Sequence, residues 1–170
     1  ASGSFAVAEL TGDGIPDLAA VGEGPLRVMR GLGDGRFRPW ATAGLLPRQS
    51  GRLARDAAVA VVAADLDGDG RAEIVVWNAS ADVLWSFTPD GRQLSRRGIA
   101  SVSGDEFFTP RPFSGVGAGR VLAAADMTGD GRDDIAVATG RRVVTLVATK
   151  EGRLRSGAVV SLPGGIAEVE

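Results

Sequence analysis

Three nine-residue segments set oxygen-bearing residues at matching positions: Glu9-Leu10-Thr11-Gly12-Asp13-Gly14-Ile15-Pro16-Asp17, Asp65-Leu66-Asp67-Gly68-Asp69-Gly70-Arg71-Ala72-Glu73 and Asp126-Met127-Thr128-Gly129-Asp130-Gly131-Arg132-Asp133-Asp134. Side-chain oxygens at positions 1, 3 and 5, a backbone carbonyl at position 7 (Ile15, Arg71, Arg132) and an acid at position 9 offer a hard cation a flexible oxygen shell of the kind calcium accepts. Gly at position 6 permits the sharp reversal that brings the oxygens round. The candidate ligands are therefore Glu9, Thr11, Asp13, Ile15 and Asp17 in loop 1; Asp65, Asp67, Asp69, Arg71 and Glu73 in loop 2; and Asp126, Thr128, Asp130, Arg132 and Asp134 in loop 3. Loop 2 brings four carboxylates and is expected to bind tightest. Loop 1, with the longer Glu9 at position 1, is expected to bind weakest.

The loops are not EF-hands, because position 12 is Ala20, Val76 and Val137 where that motif needs a bidentate Glu. Asp-Gly pairs are also favoured in ordinary β-turns for local backbone reasons. One copy would leave the turn and the cation readings level; three copies, each with its position 9 acid, favour the cation. The chain has neither Cys nor His, which removes thiolate nucleophiles, disulfides, Cys/His zinc sites and His-dependent triads. Its formal net charge of -2 is spread along the sequence, so no electrostatic footprint for nucleic acid or an anionic membrane appears. No apolar run approaches the roughly 20 residues of a membrane-spanning helix.

The elements that must position the loops follow from the repeat. The three copies start 56 and 61 residues apart, each between two apolar stretches, so the loops join strands. Gly35, Gly91 and Gly152 each fall 22 residues after the position 5 acid and mark a second, hairpin turn. Each unit then reads as strand, acidic loop, strand, connection, strand, Gly turn, strand: an all-β architecture of three four-stranded antiparallel β-propeller blades. The expected strands are 5–10, 17–21, 26–31 and 37–45; 57–64, 73–78, 82–88 and 94–102; 121–126, 134–139, 142–149 and 154–162. The blades are assigned to 1–50, 51–104 and 121–165, with an inter-blade loop at 105–120 and the possible start of a further blade at 166–170. The Ala-rich stretch 53–64 has the composition of a helix, but the repeat makes it a strand.

Together these residues resemble the FG-GAP/VCBS repeats of integrin-α-like β-propellers, whose calcium loop lies between the first two strands of a blade. Thr11-Gly12-Asp13-Gly14 and Thr128-Gly129-Asp130-Gly131 are similar to its Thr variant, and residues 26–37 to its outer hairpin. Glu9 at position 1 and Glu73 at position 9 depart from the pattern while keeping the oxygen. The resemblance implies a calcium-stabilised, secreted or surface-exposed module, extracellular or periplasmic, of the kind used in cell adhesion, sugar binding or support of an attached enzyme.

Known propellers close with about four to eight blades, so three should leave two apolar faces open. Further blades would come from sequence beyond this stretch, which the ending 163–170 favours, or from a second copy. The expected function is non-catalytic recognition of protein or glycan. The alternative is part of a carbohydrate-active enzyme, a polysaccharide lyase or hydrolase, although no acid pair outside the loops has the spacing of a general acid and base. The aromatic segment 105–113 is a candidate recognition loop, or a cap on the core, and the basic segment 47–55 a candidate anion contact, or a solvated loop. Trp77 and Trp85 are expected in the core rather than against a sugar.

Overall fold

The structure, a computed structural model, describes residues 3–22, 24–45, 58–78, 83–101, 121–139 and 142–163. Twelve strands carry the chain: β1 (Ser4–Ala8), β2 (Asp17–Val21), β3 (Leu26–Gly31), β4 (Phe37–Ala43), β5 (Ala58–Ala64), β6 (Glu73–Asn78), β7 (Val83–Asp90), β8 (Gln93–Ser101), β9 (Val121–Ala125), β10 (Asp134–Thr139), β11 (Arg142–Ala148) and β12 (Leu154–Ser161). They form three four-stranded sheets in which sequence neighbours pair antiparallel, β1 to β4, β5 to β8 and β9 to β12. Every expected strand is present, with ends within two residues of those read from the sequence. The Ala-rich stretch forms β5 where it is described. The segments 47–55 and 105–120, and the tail 166–170, lie outside the described residues.

The register explains why the strands are apolar throughout. Side chains alternate between the two faces of a sheet, and the middle sheet is covered on both. Ile74, Val76 and Phe87 turn one way and join Ala19, Val21, Leu26 and Val28 of the first sheet. Val75, Trp77 and Leu84 turn the other way and join Ile135, Val137, Val144 and Leu146 of the third. Four consecutive residues of β6, Ile74 to Trp77, are therefore almost fully buried, as parallel layers of blades require. Trp77 lies in the core and Trp85 is half-buried, with the Arg96 guanidinium 4.5 Å from its ring centroid. The two end sheets show the opposite pattern: Phe5 and Val7 on β1 and Val121 on β9 remain more than half exposed on faces that no described residue covers. The three blades thus stack side by side without closing a ring.

The acidic loops all fall between the first and second strands of a blade, so they line up along one edge of the stack. Loops 2 and 3 touch directly. Asp65 N–H donates to Asp133 Oδ2 at 2.9 Å and Asp133 N–H donates to the Asp65 carbonyl at 2.7 Å. Arg97, on β8, adds a second tie across the same junction by donating to the Glu151 and Gly152 carbonyls at 2.6 and 2.9 Å.

Candidate metal centre

Each loop is wound around its first acid. Asp65 Oδ1 accepts the N–H groups of Gly68 and Asp69, and its Oδ2 accepts that of Gly70. Asp126 repeats this with Gly129, Asp130 and Gly131. The three backbone donors explain the direction of its titration, since the Asp126 pKa is lowered chiefly by the Gly131 N–H. Glu9 grips its loop with one oxygen and one position earlier: its Oε1 accepts from Thr11, Gly12 and Asp13, positions 3 to 5, at 3.0, 2.5 and 3.1 Å. The extra methylene thus changes how the loop is gripped, not whether it is. The winding needs left-handed backbone at positions 4 and 6, where Gly68 and Gly70 have φ of 79° and 86°. The sequence reading assigned that need to position 6 alone.

The position 5 acids close the second half of the loop. Asp13, Asp69 and Asp130 each accept through Oδ1 from the N–H two residues on, Ile15, Arg71 and Arg132. In loops 1 and 3 the other oxygen meets a guanidinium. Arg30, from the end of β3, sets Nε and Nη2 each 2.7 Å from Asp13 Oδ2. Arg132 pairs with Asp130 Oδ2 from within its own loop.

Position 9 divides the loops. Asp17 and Asp134 are fully buried and use both oxygens as clamps. Asp17 Oδ2 accepts from Leu10 N–H and Oδ1 from Gly31 N–H at 2.9 and 2.8 Å; Asp134 does the same with Met127 and Ala148 at 3.1 and 2.9 Å. Each clamp joins the loop's entry to the end of its blade's third strand. Glu73 is also buried and accepts from Leu66 N–H through Oε2. Its longer arm, however, meets the acids of its own loop. Asp65, Asp67 and Glu73 bring one carboxylate oxygen each to within 4.8 Å of one another, the one such group among the described residues.

Burial first, and then the charges of Asp67, Asp69 and Asp65, raise the Glu73 pKa to about 7 against the lowering effect of the Leu66 N–H. A metal-free loop holding a carboxyl there gains by keeping its proton; a divalent cation would supply the missing charge instead. These residues therefore fit a calcium ion. Access is open on both sides. A cavity of about 310 Å³ lined by Glu9, Trp40, Asp69 and Glu73 lies towards loop 1, and one of about 410 Å³ lined by Asp67, Glu73, Arg97 and Gly152 lies towards the hairpin turn of the third blade.

The structure gathers Asp65, Asp67 and Glu73, places Asp69 beside them in charge range, and leaves Arg71 exposed with its N–H on Asp69. Thr11 lies half-buried in loop 1, and Thr128 is exposed in loop 3. Sequence reasoning missed Arg30, because the equivalent positions in the other blades are Ser86 and Val147 and no repeat marks it. It also missed Arg97, whose importance lies in a contact between units. No helix among the described residues is long and apolar enough to cross a membrane.

Comparison with known proteins agrees with this geometry. The model of the FG-GAP-like repeat matches residues 10–76 and 65–137, and that of the FG-GAP repeat matches residues 118–160. No curated protein sequence gives a significant match. Among solved structures, a lectin of Agrocybe aegerita described as recognising non-reducing terminal N-acetylglucosamine is 22% identical with a TM-score of 0.57, over 94% of this chain and 38% of the lectin. The Tc holotoxin pore of Photorhabdus luminescens is 21% identical with a TM-score of 0.52, over 95% of this chain and 7% of the toxin chain. These likenesses concern the fold, and the chain spans well under half of either protein. The repeat matches, falling on the same loops and strands that build the three blades, show that the chain belongs to the FG-GAP repeat family.

Proposed function

We propose that this chain is a calcium-stabilised binding or scaffold module, non-catalytic, in which an ion held by loop 2 fixes the edge of the blade stack that carries the acidic loops. The observation that carries the reading is the convergence of Asp65, Asp67 and buried Glu73 within 4.8 Å. Asp69 and the Arg71 carbonyl complete the donor set as oxygens of the same loop. The neighbouring edge, with the half-buried Trp40 beside an acid-lined cavity, is the surface offered to a protein or glycan partner. Glycan recognition is supported by the likeness in fold to the Agrocybe lectin. The module works outside the cytoplasm, extracellular or periplasmic, where calcium is abundant enough for an exposed loop of moderate affinity. Further blades, from a longer chain or a second copy, cover its open faces.

The test is calorimetric titration of metal-free protein with calcium, comparing wild type with an Asp65→Asn, Asp67→Asn double variant that keeps the loop's side-chain shapes. Binding in the wild type, with a rise in melting temperature, and its loss in a variant that retains the β-sheet circular dichroism spectrum support the reading. Equal heats from both proteins, or none from the wild type at millimolar calcium, would overturn it.

A further inference from the structure

Loop 2 differs from its sisters in more than its acid count. In loop 1 the Arg30 guanidinium sits on Asp13, both side chains being at least two-thirds buried. In loop 3 Arg132 sits on Asp130, with side-chain exposures of 17% and 34%. Loop 2 has Arg71 at the position matching Arg132, yet Arg71 is exposed and makes no ion pair among the described residues. The loop without a guanidinium is the loop whose carboxylates converge.

We infer that loops 1 and 3 carry their cation covalently, Arg30 and Arg132 neutralising the position 5 acids that a divalent ion would otherwise bind, so that loop 2 is the sole divalent site. This rests on the calcium reading of loop 2 and adds a selection rule among the three loops. The position 1 and position 9 acids of loops 1 and 3 already accept several backbone N–H groups. The position 5 acids hold one backbone N–H on Oδ1 and turn Oδ2 to the guanidinium. A guanidinium at that oxygen both uses its lone pairs and repels an approaching divalent ion. Arg30 is held in place by the fold, reaching across 17 residues from the third strand, whereas Arg132 acts from inside its loop.

The experiment counts bound ions by terbium luminescence and calcium calorimetry in the wild type, Arg30→Met, Arg132→Met and the double variant, each also in the Asp65→Asn, Asp67→Asn background. The expected stoichiometries are one for the wild type, two for each single variant and three for the double. The background lowers each by one. In chelator, Arg30→Met should melt earlier than wild type, and calcium should restore it. Two or three ions on the wild type, or no added ion on folded Arg30→Met and Arg132→Met, overturns the inference. A wild-type count unchanged by the background substitutions instead sinks the assignment of loop 2. Should Arg30→Met fail to fold even with calcium, Arg132→Met, where the arginine acts from inside its own loop, decides, and Arg132→Lys, which keeps the charge, should stay at one.

Discussion

Replacing Asp134 by Asn separates two roles that a position 9 acid can play, backbone clamp or ion ligand. The side chain is fully buried, with Oδ2 on the Met127 N–H at 3.1 Å and Oδ1 on the Ala148 N–H at 2.9 Å. Asn keeps one acceptor and turns an NH2 group towards the other N–H, so one charged hydrogen bond is lost and a buried donor is left facing a donor. A hydrogen bond to a charged group contributes about 1.5–3 kcal/mol, and an unpaired buried donor costs about 1–3 kcal/mol. These overlap, giving an expected loss of about 2–4 kcal/mol. Against the roughly 5–15 kcal/mol of a typical domain this is severe. In a chain of this size it corresponds to a fall in melting temperature of about 5–15 °C. Asp17→Asn should behave alike, since its oxygens hold Leu10 and Gly31 in the same way. The assay is urea unfolding in chelator and in calcium. A clamp predicts the same loss in both. A loss below about 0.5 kcal/mol in chelator that becomes large only in calcium would refute the reasoning and make position 9 chiefly a ligand.

Glu73 should govern the pH dependence of the metal-free protein. Its folded pKa of about 7 lies above the ordinary 4.5, so the fold favours the proton; stability is full below the ordinary value and falls as pH rises through 7, by up to about 3 kcal/mol. The chain has no His to titrate there, so Glu73→Gln should flatten urea unfolding between about pH 5 and about pH 8, and an unchanged slope would remove Glu73 as its source. Gly68→Ala should cost about 1–2 kcal/mol, because φ is 79° and the new Cβ would lie 3.1 Å from Arg132 Cγ; differential scanning calorimetry would show it. Val137→Asp, in the junction core, should prevent folding, whereas Val121→Asp, on the open face of the third blade, should cost less than about 0.5 kcal/mol by urea unfolding.

The strands and the loop positions were legible because both rest on local rules repeated three times. Alternating side-chain faces, a Gly at each reversal and a constant offset to the hairpin turn leave little freedom for a different pairing. The roles of the acids were less legible. Asp17 and Asp134 read as ligands from spacing, and only the pairing of each blade's second and third strands brings Gly31 and Ala148 to their second oxygen. Glu73 read as a conservative replacement; its extra reach in fact turns a clamp position towards Asp65 and Asp67. Arg30 gave no signal, since a guanidinium 17 residues from its acid follows no motif.

The arrangement also makes loop 2 the position where one ion would do most. Loop 1 faces the stack on one side, and loop 3 on the other. Loop 2 stands between them: Asp65 N–H donates to the Asp133 carboxylate while its carbonyl accepts from the Asp133 N–H, Gly68 lies against Arg132, and Asp69 and Glu73 line the cavity shared with Glu9 and Trp40. An ion drawing Asp65, Asp67 and Glu73 together would therefore stiffen both junctions at once, while one in loop 1 or loop 3 would stiffen a single junction. The junctions are where such stiffness counts, because each is held by apolar packing, Val21 and Leu26 with Ile74 and Phe87 at the first and Trp77 and Leu84 with Ile135 and Leu146 at the second. Apolar packing of that kind has little direction of its own. The hydrogen-bonded, charge-bearing edge gives the stack a fixed angle, and a fixed angle between blades is what a recognition surface spanning several of them requires.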